Sequence, residues 1–132
     1  MRKIFCALGI VLMLAGFAIA DLPAPFESAK RIALSGENDG AVYRQTFQDP
    51  QDKDTVYVII YHKSKEAISL VTVDKANSLA SALTMVGGRF IYEVVLFTPM
   101  GPALLEQKEL PESEGLELAF KFFQTLVAAR LI

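Results

Sequence analysis

Thr55 to His62 reads Thr-Val-Tyr-Val-Ile-Ile-Tyr-His, with β-branched and aromatic residues at both odd and even positions. That pattern predicts a central strand covered on both sides. Ahead of it, Ala41–Gln48 alternates, with Tyr43 and Phe47 on one side and Arg44 and Thr46 on the other, as a half-buried strand does. The stretch between them, Asp49–Asp54, is a polar loop whose Pro50 is barred from a central strand. Lys63–Glu66 turns the chain, and Ala67–Val73 returns as the second arm of an antiparallel hairpin.

Asp74–Gly88 supports two readings. As a helix it is capped by Asp74, carries Ala76, Leu79, Ala80, Leu83 and Val86 on one stripe, and stops at Gly87. As a strand it ends in a two-residue turn, Gly87-Gly88, that leads into Arg89. Its Ala/Ser-rich interior lacks the β-branched residues that strands favour, so propensity points to the helix. Arg89–Thr98 is a long strand, Pro99-Met100-Gly101-Pro102 breaks it, and Ala103–Glu109 can return antiparallel.

Pro111 opens a last helix over roughly 113–130, with Glu112, Glu114 and Glu117 where the helix dipole favours anions. Leu116, Ala119, Phe120, Phe123, Leu126 and Val127 recur at helical spacing, and Leu118 and Phe122 widen the stripe. So broad an apolar surface needs cover, which makes this helix integral to the core. A shorter helix fits Phe26–Leu34, with Ser35-Gly36 as its stop and Glu37–Gly40 as a turn. The expected fold is α+β: an antiparallel sheet of about five strands packed against a long C-terminal helix, with one or two shorter helices.

The N-terminus changes the setting. Met1-Arg2-Lys3 precedes an uncharged apolar run, Ile4–Ala20, that ends in Ala18-Ile19-Ala20. These are the three parts of an export signal, and cleavage after Ala20 leaves Asp21 as the new terminus. The alternative is an uncleaved membrane anchor, since the run sits at the short edge of what spans a bilayer. Residues 1–20 are thus read as a signal peptide, 21–25 as a tether, and 26–132 as one α+β domain. A periplasmic or secreted location follows.

The full chain holds 132 residues, with thirteen Lys+Arg against fifteen Asp+Glu. Two of the basic residues and the only cysteine, Cys6, lie in the leader, so the processed chain is more acidic and has no thiol. That excludes a disulfide framework, a cysteine nucleophile and an electrostatic basis for binding nucleic acid. No later stretch is long and apolar enough to suggest a membrane span.

Gly-x-Ser-x-Gly, Ser-x-x-Lys and a phosphate-cradling glycine loop are all missing. His62 is the only histidine and stands beside Lys63 and Lys65, which repel a cation. Asp49, Asp52 and Asp54 are calcium-type ligands, but Pro50 and the spacing do not make an EF-hand loop. No catalytic residue, metal ligand or cofactor site is expected.

Two features suggest contacts. Tyr57 and Tyr61 share a strand face and either line an apolar groove or serve as core aromatics with tethered hydroxyls. Phe97 and Met100 stand at a loop tip, where function often sits. The first expectation is a non-catalytic protein-interaction or accessory module of the cell envelope. The second is a carrier of a small apolar ligand between helix and sheet, and the third is an enzyme using scattered carboxylates.

Overall fold

The computed structural model describes residues 22–132, so the expected signal peptide at 1–20 lies outside the described residues. The chain forms α1 (Ala24–Leu34), β1 (Glu37–Asp39), β2 (Val42–Gln48), β3 (Thr55–His62), β4 (Ala67–Asp74), β5 (Leu79–Val86), β6 (Arg89–Thr98), β7 (Gly101–Leu110) and α2 (Glu112–Ala128). The strands pair in chain order, each antiparallel to the next, into one seven-stranded sheet. The fold is therefore α+β with an antiparallel sheet, a long C-terminal helix and one shorter helix. It has seven strands, not about five.

The two additional strands have separate causes. β1 is a three-residue polar edge, Glu37-Asn38-Asp39, paired with β2 from Glu37↔Arg44 to Asp39↔Val42. Its composition signals a turn, and Gly40 at φ 69 does make one beside it. β5 corrects the helix expected over 74–88. It is paired on both sides, to β4 from Asp74↔Leu79 to Ile68↔Met85 and to β6 from Leu79↔Leu96 to Val86↔Arg89. Helix propensity separates Ala and Ser from strand formers by tenths of a kcal/mol per residue, which two complete ladders outweigh.

Asp74 does cap, but it caps a turn. Its Oδ2 accepts a hydrogen bond from Asn77 Nδ2 at 2.7 Å, and Ser78 closes the loop at φ 55. Gly87 and Gly88, at φ 59 and 75, make the two-residue turn into β6 that only glycine-like residues accept without strain.

Both helices lie on one side of the sheet. α1 starts at Ala24 behind Pro23, two residues earlier than expected, and Pro25 is already buried helix. Phe26, Ala29 and Ala33 are fully buried and pack with Tyr61, Ile68, Met85 and Phe90. The Phe26 and Phe90 rings meet edge-on at 5.6 Å. α2 buries Gly115, Ala119 and Leu126, with Leu118 and Phe122 packed against the same cluster. A Cβ on Gly115 would lie 2.5 Å from the Phe90 ring, so glycine is what lets α2 approach β6.

This seating differs from the expected stripe. Phe120 and Val127 are exposed at 52% and 57%, because α2 turns its small residues toward the sheet and leaves these two facing outward.

Candidate functional site

The register assigns every strand residue to a side. Tyr43, Tyr61, Ile68, Met85, Phe90 and Leu110 form one continuous row beneath the helices. The intervening positions of the same strands form the opposite face. In its centre stand Val56, Val58 and Ile60 of β3, Val71 and Val73 of β4, and Ala80 and Ala82 of β5. Ile91, Val95 and Phe97 of β6 extend it. Apart from Ala80, these side chains are all at least partly solvent-accessible, and none belongs to the core cluster.

The expectation that β3 is covered on both sides is thus corrected. Among the described residues, both helices pack on one side, and no element lies over the other. The apolar character of both faces was read properly from the sequence, but the second covering layer is not in this part of the chain.

Several polar groups on the open face are matched to one another. Ser69 Oγ and Thr84 Oγ1, opposite each other on β4 and β5, are 2.7 Å apart. Glu93 accepts a hydrogen bond from Gln107 Nε2 at 2.6 Å, and Arg89 donates to Glu109 at 2.9 Å. That last bond holds the Glu109 carboxyl below its ordinary range and the Arg89 guanidinium above its own. Arg89, Glu93 and Glu109 thus sit on β6 and β7, and Arg44 of β2 stands on the same face at the opposite rim of the apolar field.

The sequence-selected residues divide into two pairs. Tyr57 and Tyr61 share the helix side and are buried, at 6% and 3% exposure. Each donates its hydroxyl to a carboxylate at the sheet margin, Tyr57 to Asp49 Oδ2 at 2.7 Å and Tyr61 to Glu66 Oε2 at 2.6 Å. Burial, then the bond to Asp49, pushes the Tyr57 hydroxyl up to about 12. Burial and Glu66 raise Tyr61 in the same direction. Lys30 Nζ lies 5.0 Å over the Tyr61 ring, which completes a tethered core aromatic. Phe97 and Met100, by contrast, are exposed at 48% and 97%. They stand at the β6–β7 end of the open face, beside exposed Leu104 and Leu105.

The Asp49–Asp54 loop employs its carboxylates internally. Asp49 Oδ1 accepts the Gln51 and Asp52 N–H groups at 2.8 and 3.1 Å, and Asp52 accepts from Asp54 N and Thr55 Oγ1. The Tyr57 hydroxyl, then the Gln51 N–H, lowers the Asp49 carboxyl. Among the described residues, no group of three His, Cys, Asp or Glu side chains converges as a metal cage would require. His62 sits at the end of β3 between Val42 and Ala67.

Two hollows lie on the helix side. One, of about 240 Å³, separates α2 from the sheet and is lined by Tyr57, Leu70, Leu83, Tyr92, Leu118 and Phe122, among others. The other, of about 640 Å³, is an open cleft between the helices, walled by Ile32, Phe120, Phe123, Val127 and Ile132 with Arg31 at its edge. Sequence reading missed this cleft because it placed Phe120 and Val127 in the core. The signal available was the width of the α2 stripe, more than one helix face can bury on one sheet. No helix among the described residues is long and apolar enough to cross a membrane. Compared with models of known protein families, with curated proteins and with solved structures, the chain matches none of them.

Proposed function

We propose that this chain is an exported, non-catalytic protein-interaction module of the cell envelope, and that its partner docks on the open face of the sheet. The observation that carries this reading is the apolar field from β3 to β6, which no element among the described residues covers. Folded monomers rarely present a contiguous apolar patch beyond a few hundred Å², and larger ones mark contact surfaces. Export is supported by the Arg2-Lys3 start, the apolar run to Ala20 and the small residues at Ala18 and Ala20. The non-catalytic reading is supported by the carboxyl and phenol groups with displaced pKa values. Asp49, Tyr57, Tyr61 and Glu109 are each held in a bond that closes a loop or clamps a strand. The test is affinity capture from envelope extract with the wild-type chain and with Val71→Lys, which puts a charge in the middle of the field. A protein retained by the first and lost by the second is expected. Equal recovery by both overturns the reading.

A second reading, a carrier of a small apolar ligand, is favoured by the cleft between α1 and α2. Its 640 Å³ falls within the usual range of ligand sites, about 300–1,000 Å³, whereas the helix–sheet hollow at 240 Å³ falls below it. This moves the expected carrier site from between helix and sheet to between the helices. Native mass spectrometry of protein purified from its host would show a retained ligand. A bare mass for both wild type and Phe120→Lys counts against the carrier.

A further inference from the structure

We propose that the occupant of the open face is a second copy of this chain, so that two sheets stack face to face with one pair of helices on each outer side. The inference rests on the reading of that face as a docking surface.

Area is the first argument. Six strands at about 4.8 Å spacing, each roughly eight residues long at about 3.3 Å per residue, give a face of roughly 750 Å². Two such faces bury on the order of 1,500 Å², the standard size of a specific interface. The character of the side chains is the second. Val, Ala and Ile stand nearly level, with no large ring at the centre of the field, and level faces of this kind interdigitate at about 10 Å in sheet sandwiches.

The third argument is self-complementarity. A closed dimer needs a surface that matches itself about a two-fold axis. An axis along the strands, between β4 and β5, exchanges β3 with β6 and β2 with β7. The row Arg44, Ile60, Ser69, Thr84, Ile91, Glu109 then meets its own reverse. Ile60 faces Ile91 of the other copy, and Ser69 faces Thr84. At the two ends Arg44 faces Glu109, so the charges at the rim are opposite in sign. The next row places Val71 against Ala82, a larger residue against a smaller one, and Val58 against Glu93, whose carboxylate keeps its bond to Gln107. Among the described residues Arg44 pairs with Asp39 at 3.8 Å, a distance that a closer carboxylate could improve on.

The test is light scattering on the purified full chain over a dilution series, with mass spectrometry of its N-terminus to record whether the leader is present. A mass of two chains is expected for wild type. Val71→Lys and Ala82→Arg, each placing a charge near the axis twice per dimer, are expected to weaken association at least about a hundredfold. Both side chains project from the uncovered side, so circular dichroism should remain that of wild type and keep each variant informative. Phe120→Lys, in the cleft on the other side, is expected to leave the dimer intact. A wild-type monomer throughout the series overturns the proposal, as does a dimer lost with Phe120→Lys and kept with Val71→Lys. If the chain is monomeric while Val71→Lys still abolishes capture from envelope extract, the docking surface stands and only its occupant is wrong. If capture is also unchanged, both readings fall.

Discussion

The two faces of the sheet are built from alternate residues of the same strands, yet they are made of different material. β3 sends Tyr57, Ile59 and Tyr61 under the helices and Val56, Val58 and Ile60 to the other side. β5 likewise buries Leu83 and Met85 and turns Ala80, Ala82 and Thr84 outward. Rings and long side chains fill the uneven space between a sheet and two cylinders. Short branched side chains make a level surface instead. The difference teaches that the helix side is sufficient to specify the fold, because its residues alone form the connected core. The apolar identity of the other side is then not required by the chain's own packing.

Substitutions on the helix side should have the largest effect. Phe26 is fully buried and packs edge-on against Phe90, at the point where α1 meets the sheet. Phe26→Ala is expected to cost about 3–5 kcal/mol, and Leu126→Ala about 2–5 kcal/mol. These losses rival the net stability of a small domain. Chemical denaturation checks both. A loss below about 1 kcal/mol at either site would mean that its helix is not part of the cooperative unit.

How far this contrast was legible follows from what each pattern encodes. β2, β3, β4, β6 and the long final helix were readable because alternation, β-branching and an i, i+3, i+4 stripe point one way in each. β5 was not, because two of its open-face residues are Ala80 and Ala82, and small residues erase the propensity difference between helix and strand. Its alternation survives only in Leu79, Leu83 and Met85, and the helical spacing of Leu79 and Leu83 imitates a stripe. The Gly87-Gly88 turn was the better signal. β1 was unreadable because its pairing comes from Arg44 and Val42 beyond the turn, not from Glu37-Asn38-Asp39. For the contact surfaces, Phe97 and Met100 were picked out by their place in a loop, and both are exposed. The apolar residues on both sides of β3 were visible, but they pointed to cover on both sides, and among the described residues only one side is covered. What the sequence could not state was which side the chain would cover.

The tyrosines that anchor the covered side give that comparison a dependence on pH. The Tyr57 hydroxyl is raised from an ordinary 10.0 to about 12, so the folded state favours its neutral form. Its contribution to stability is complete below pH 10 and is lost as pH rises from there through about 12. Tyr61 is raised too and acts in the same sense. Asp49, which accepts the Tyr57 hydrogen bond, has the opposite sign. Its lowered carboxyl favours the ionised form, so its contribution is present above the ordinary 3.8 and is lost as pH falls through the folded value. Tyr57→Phe removes the titrating hydroxyl and the bond to Asp49 together. Melting temperature against pH should therefore fall less steeply for the variant on both the alkaline and the acid side. Parallel curves for the two proteins would show that this bond does not couple to folding.

The smallest effect should come from a single hydroxyl on the open side of β3, set against the same change one position along in the core. Ile59→Thr puts it in the core, where the residue is fully buried, and the lost apolar volume together with the buried hydroxyl should cost at least about 2 kcal/mol. Val58→Thr puts it on the open face, where Thr is a good strand residue and water can reach the hydroxyl. The change there should stay within about 0.5 kcal/mol. Both are measured by denaturation at a protein concentration low enough that the midpoint no longer depends on it. Raising the concentration then sharpens the contrast. If a second sheet closes over Val58, the cost of Val58→Thr grows with protein concentration, because association stabilises the wild type more than the variant. The cost of Ile59→Thr changes little, since its surroundings lie within one chain. A Val58→Thr cost that is already large at high dilution would instead mean that the open face is covered by the chain itself.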